Sequence, residues 1–88
     1  MTVTWSSRAL SDAAAIYAYI AADDPEAAAR ITGRLFAATE TLGRFPELGR
    51  PSRSAGRREL VVGRYVIVYR LRRADIWIVA VEHGARRR

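Results

Sequence analysis

The side chains whose types and spacing could move a proton and hold an anion together fall in the last third of the chain: Arg58, Glu59, Arg64, Arg70, Glu82, His83 and Arg86. His83 is the sole imidazole in 88 residues, and there is no cysteine. With Glu59, Arg70 and Arg86 in the same stretch, the parts exist for metal-free phosphodiester transfer, with an imidazole to move the proton and guanidinium groups to hold the phosphate. One imidazole without a second acid/base partner is equally the signature of a strand-end histidine that fixes the tail. We take that second reading and keep Arg70, His83 and Arg86 as the alternative catalytic set. No thiolate and one histidine leave no zinc centre to expect, and neither a metal nor a cofactor is expected. Ser6, Ser7 and Ser11 have no His-Asp companions nearby in sequence and read as helix caps, which gives a serine hydrolase no support.

The charge is uneven. Residues 1–43 hold 3 Arg against 5 acids, whereas residues 44–88 hold 12 Arg against 4 acids, within a net charge of +6. A domain with one electropositive end is expected to meet something anionic, either nucleic acid or an acidic protein segment. All 15 basic residues are Arg, but the chain also has 16 Ala, so compositional bias explains the choice of Arg and only the sign of the charge informs. Arg72 and Arg73 fall in a turn, where solvation accounts for them. The run Arg86-Arg87-Arg88 reads either as an electrostatic contact to nucleic acid or as a frayed basic terminus.

Length allows one domain, residues 1–88, whose core buries only about 60% of the unfolded surface, so a partner would add much stability. No apolar run approaches the ~18 residues of a membrane span, and the N-terminus lacks the basic and apolar regions of a signal peptide. A cytoplasmic protein is expected, with no membrane partner.

The elements that must position these residues follow from spacing. Val3-Thr4-Trp5 is strand-like. Ser6 or Ser7 caps a helix running to about Ala21, with Leu10, Ala14, Tyr17 and Ala21 as its main stripe and Ala13 and Ile20 beside it. Asp24-Pro25-Glu26 opens a second helix whose seam is Ala28, Ile31, Leu35, Ala38 and Leu42, and Gly43 closes it. The short turn between the helices predicts an antiparallel hairpin. Residues 44–56, rich in Gly, Pro and Ser, predict a loop held down by Phe45 and Leu48. Strands follow at 58–62, 65–71 and 76–82. Tyr65, Ile67, Tyr69 and Leu71 share one face, and Val66, Val68 and Arg70 the other. The last strand is apolar on both parities (Ile76, Ile78, Ala80; Trp77, Val79, Val81), which places it centrally, between the middle strand and the N-terminal one.

The predicted fold class is therefore α+β, βααβββ in order, with a helical hairpin on one face of a four-stranded sheet. Two helices cover one face only. Val66, Val68 and one parity of the last strand are then expected to stay open for a partner. Glu59 and Glu82 are expected to pair across strands with Arg58, Arg70 or Arg72, and Tyr65 and Tyr69 to be core aromatics.

This order, with Trp5, Phe45-Pro46-Glu47-Leu48-Gly49-Arg50, Arg58-Glu59-Leu60, Tyr65-Val66-Ile67-Val68-Tyr69-Arg70 and His83-Gly84-Ala85-Arg86, resembles the ParE/RelE superfamily of bacterial toxins over the whole chain. The resemblance implies the toxin of a type II toxin-antitoxin (plasmid stabilisation) system. It also implies a cognate ParD-like antitoxin whose disordered acidic C-terminal segment folds over the toxin, on Val66 and Val68, in a hetero-oligomer that touches DNA only through the antitoxin. RelE-like members cut mRNA in the ribosome, and ParE-like members resemble non-enzymatic inhibitors of DNA gyrase. In the nuclease an arginine follows the tyrosine that opens the middle strand; here that place is Val66, which can neither stabilise a phosphorane nor move a proton. Arg86 matches another nuclease arginine, with no later tyrosine to act as base. The resemblance is thus more ParE-like, with Arg58, Arg64, Arg70, His83 and Arg86 as the target-binding rim. A ribosome-dependent endoribonuclease using Arg70, His83 and Arg86 is one alternative, and a non-toxic member acting only in antitoxin binding and operon repression is another.

Overall fold

The computed structural model describes residues 1–86, apart from the Arg86 side chain; that side chain, Arg87 and Arg88 lie outside the described part of the chain, and with them the basic-tail expectation. The elements run β1 (Thr2–Trp5), α1 (Ser7–Ala21), α2 (Pro25–Arg44), β2 (Arg50–Pro51), β3 (Arg58–Val62), β4 (Tyr65–Arg72), β5 (Asp75–His83) and a 3-10 turn (Gly84–Arg86).

Both helix starts are where the sequence puts them. Ser6 Oγ accepts from the Ala9 amide at 3.0 Å and donates to the Val79 carbonyl at 2.8 Å, so one hydroxyl caps α1 and ties it to β5. Asp24 caps α2 through the Ala27 amide at 3.1 Å, with Pro25 in the first turn. Gly43 does not close α2, which continues to Arg44 and ends where the Phe45 amide donates to the Thr41 carbonyl at 2.9 Å. The α1 stripe also differs from expectation. Ala9 and Ala13 are buried, with Ile16 and Ile20 partly so, whereas Leu10, Ala14 and Tyr17 face solvent. Small residues win the inner face because α1 packs close against α2 and β5, where alanine lets the backbones approach.

The sheet has five strands, not four, in the order β1-β5-β4-β3-β2. The extra member is the pair Arg50–Pro51, in register with Glu59 and Arg58. A two-residue strand containing proline is tolerated only at an edge and leaves no alternation to read. β1 runs parallel to β5, and the other pairings are antiparallel; β5 is an interior strand flanked by β1 and β4, as expected, and β4 is the middle strand of the five.

Tyr69, Ile67, Ile76, Ile78 and Val81 meet Ala9, Leu35 and Leu42 in the core under the helices. A bulge opposite Val68/Tyr69 breaks the parity of β5: Val79 and Ala80 both lie with Val66 and Val68 on the far face, and Val81 returns to the helical side. That far face is not open where the sequence suggests. Val66 and Val68 are only 6% and 5% exposed. Val66 lies in register between Val61 and Glu82 and Val68 between Glu59 and Ala80, and the two valines pack with Ala80 and Val79. Cross-strand neighbours on one face lie close enough to cover one another's short side chains. The step from an uncovered valine face to a partner is therefore corrected: these two side chains present almost no surface.

Candidate functional site

An open apolar surface lies at the end of the molecule where the helical hairpin leans over the β3–β4 turn. There Ile16, Ile20, Ile31, Leu35, Val62 and Tyr65 line a groove of about 800 Å³. Tyr19, Arg34 and Arg64 border the groove with exposed side chains, and His83 and Ala85 close its β5 side. The turn that forms its floor is tight: Val62 pairs with Tyr65 across Gly63-Arg64, and Gly63 takes φ 60°, the glycine-first form that follows the strand twist. The Gly84 amide donates to the Arg64 carbonyl at 2.8 Å and holds the 3-10 turn against it.

His83 belongs to this groove. It is opposite Tyr65 in register, and the two rings meet edge to face with centroids 5.3 Å apart. Its Nδ1 accepts the Ala85 amide at 3.1 Å, so a neutral imidazole carries its proton on Nε2. These contacts fit the reading of a strand-end histidine that fixes the tail.

Of the other rim residues, Arg64 shares the groove with His83, Arg58 and Arg70 do not line it, and the Arg86 side chain lies outside the described residues. Arg70 is opposite Trp77 on the far face, its Nη2 beside Gly56, where an added Cβ would stand 3.6 Å away. Arg58 is turned inward. Its Nε and Nη2 donate to the Gly49 carbonyl at 3.0 and 2.6 Å and Nη2 to the Glu47 carbonyl at 3.1 Å, so it holds a loop. Arg64 is exposed at the groove. The described residues proposed from sequence as one rim are thus divided among a groove, a far face and a half-buried loop anchor.

Acidic partners go beyond those expected. Glu59 pairs with Arg50 at 3.6 Å and Glu82 with Arg8 at 3.2 Å. Asp12, 3.5 Å from Arg8, accepts the Val81 amide at 2.9 Å and occupies the edge of β5 beyond the end of β1. Arg72 is more than a solvated turn residue. It pairs with Asp75 at 2.6 Å and lies 4.5 Å over the Trp77 ring. That hydrogen bond, ahead of one from Thr4, holds the Asp75 carboxyl below the ordinary aspartate range.

The groove, Tyr19 and Arg34 were not found from sequence. Ile16, Ile20 and Ile31 carried the signal, since two helices that each keep isoleucines near a shared turn have more apolar surface there than one hairpin seam uses. Among the described residues no cluster of acids and histidine is arranged to hold a metal. No described helix is long and apolar enough to cross a membrane.

Comparison with known proteins places this geometry. Residues 3–88 match the family model described as ParE toxin of type II toxin-antitoxin system, parDE. A curated protein of Sinorhizobium fredii named "Putative toxin Y4kP" is 43% identical over 84 residues, covering 93% of this chain and 86% of that protein. "Toxin RelE2" of Caulobacter vibrioides is 40% identical over 84 residues, covering 96% of each. A solved structure titled "Chromosomal ParDE TA system from P. aeruginosa" superposes with a TM-score of 0.83 at 25% identity, covering 94% of this chain and 95% of that one.

Proposed function

The chain belongs to the ParE toxin family of type II toxin-antitoxin systems, and we propose that it arrests growth by binding DNA gyrase and is neutralised by a cognate antitoxin seated in the apolar groove. The observation that carries the antitoxin part is the groove itself. Isoleucines from both helices and Tyr65 from β4 offer apolar surface, and Arg34 and Arg64 beside them favour an acidic segment. A disordered segment that orders there pays its entropy from that apolar burial. Val66 and Val68, covered within the chain, are left out of this interface.

Gyrase is favoured over the ribosome by what the sheet lacks. The position after Tyr65 is Val66, not an arginine, and the remaining candidates Arg70 and His83 lie on different faces. Arg64, Arg70, His83 and Arg86 then act as contacts and not as catalysts. The name of the Caulobacter relative is the one observation on the side of a ribosome-dependent nuclease built on Arg70, His83 and Arg86.

One experiment separates these readings. The purified chain is added to a gyrase supercoiling assay and, in parallel, to translating ribosomes with mRNA cleavage read by primer extension. Loss of supercoiling with intact message supports the proposal. Cleaved message with normal supercoiling replaces it with the nuclease, and activity in neither assay leaves the non-toxic, antitoxin-binding member. Growth arrest relieved by co-expression of a ParD-like antitoxin, and not relieved when Ile20→Asp is introduced into the groove, checks the antitoxin site.

A further inference from the structure

The turn that leaves α2 displays two large apolar side chains on a backbone held by buried groups. Phe45 and Leu48 are 59% and 52% exposed. They are the two ends of a turn closed by the Leu48 amide on the Phe45 carbonyl at 3.1 Å, with Pro46 at the position whose φ proline presets. Ends of such a turn lie within about 7 Å of each other, so the two side chains are neighbours. The sequence expectation that they hold the loop down is thus reversed: other groups hold the loop, and they face out.

Those other groups are specific. The hydroxyl of the fully buried Tyr69 donates to the Pro46 carbonyl at 2.8 Å and accepts the Gly49 amide at 2.9 Å, while Arg58 binds the carbonyls of Glu47 and Gly49. Gly49 is buried so closely that a Cβ would meet the Glu59 carbonyl oxygen at 2.5 Å and Tyr69 Oη at 2.8 Å. Fixing a loop in this way removes the ordering cost from any later contact, which is what preorganised recognition elements do. Arg44, Arg50 and Arg53 in the same segment carry exposed side chains, Arg50 paired with Glu59 at 3.6 Å, and Glu47 is the acid among them.

We propose that the Phe45–Leu48 turn, flanked in sequence by the exposed Arg44, Arg50 and Arg53, is a preformed docking knob for an acidic protein surface with an apolar pocket on the toxin's target. The inference rests on the reading that the chain acts by binding gyrase, and it names the element that does so. The chemistry is that of a protein contact: phenylalanine and leucine gain by entering an apolar pocket, and the exposed guanidinium groups of the same segment select one with an acidic rim. The knob is separate from the antitoxin groove. Phe45 follows Leu35 by ten residues along α2, about 15 Å of helix.

The test compares the full chain with Phe45→Ala/Leu48→Ala in the supercoiling assay, with thermal unfolding as the control for folding and a labelled DNA duplex as a second probe. Because both side chains are exposed, the double variant is expected to keep its Tm while its inhibition of gyrase weakens at least about tenfold. Raised salt should weaken the wild type through the arginines. Equal inhibition by variant and wild type would overturn the knob and leave the gyrase reading standing. A wild type without effect on gyrase would overturn both. Loss of duplex binding in the variant in parallel with inhibition would assign the turn to nucleic acid and overturn a protein partner.

Discussion

Arg70 and His83 lie on opposite faces of the sheet and at opposite ends of β4: His83 is in register with Tyr65 on the helical side, Arg70 with Trp77 on the far side. From Tyr65 to Arg70 the strand advances roughly 16 Å at its usual rise. A guanidinium and an imidazole so placed cannot both touch one scissile phosphate, because a general acid or base must come within hydrogen-bond reach of the proton it moves.

The first prediction follows from that separation. On translating ribosomes the wild-type chain, Arg70→Ala and His83→Gln are all expected to leave mRNA uncut in primer extension. Cleavage by the wild type that disappears in both variants would mean that the two groups do converge on a bound substrate.

The second concerns the covered valines. A carboxylate placed by Val68→Asp would enter a site that is 5% exposed, next to the buried Glu59. Burial of an unpaired charge beside a like charge is expected to cost about 3 kcal/mol or more, seen as a lower urea midpoint with unchanged slope. A surface position would give less than about 0.5 kcal/mol.

Val68 also marks where the sequence stops being readable. Alternation along β4 correctly assigned Tyr65, Ile67 and Tyr69 to one face and Val66, Val68 and Arg70 to the other, because period two is a local property. Whether the second face is open depends on which residues neighbouring strands place beside it, and the bulge that brings Val79 and Ala80 to one side has no local signal. The helix starts were legible because Ser6 and Asp24 act on amides three residues on. The groove was not, since it exists only where Ile20, Ile31 and Val62, distant in the chain, come together. Arg58 shows the same limit. Its type suggests anion binding, and only the path of the Glu47–Gly49 backbone turns it into an anchor.

A third prediction contrasts two glycines. Gly33 sits in α2 with nothing within 4 Å of an added Cβ, so Gly33→Ala is expected to raise stability by about 0.5–1 kcal/mol through helix propensity alone. Gly49→Ala drives a Cβ to 2.5 Å from a backbone carbonyl that is paired within the sheet region and cannot retreat cheaply. A loss of about 1–3 kcal/mol is expected. Denaturant unfolding of the two variants should move the midpoint in opposite directions.

The fourth prediction is a pH dependence at the β4–β5 turn. Asp75 accepts hydrogen bonds from Arg72 at 2.6 Å and Thr4 at 3.2 Å, and its carboxyl is held below the ordinary aspartate range mainly by the first. A carboxyl whose pKa is lower folded than unfolded stabilises the fold above its unfolded value and loses that contribution as pH falls through the folded one. Asp75→Asn is expected to lower Tm slightly near pH 7, the effect being small because this turn is solvated and screened. The gap between wild type and variant should begin to close below about pH 4 and vanish at more acidic pH, as the wild-type carboxyl becomes as uncharged as the amide. A gap that is constant with pH would show that Asn disturbs the turn by shape and not by charge. In 1 M salt the gap at neutral pH should shrink too, because screening weakens the Arg72 pair that creates it.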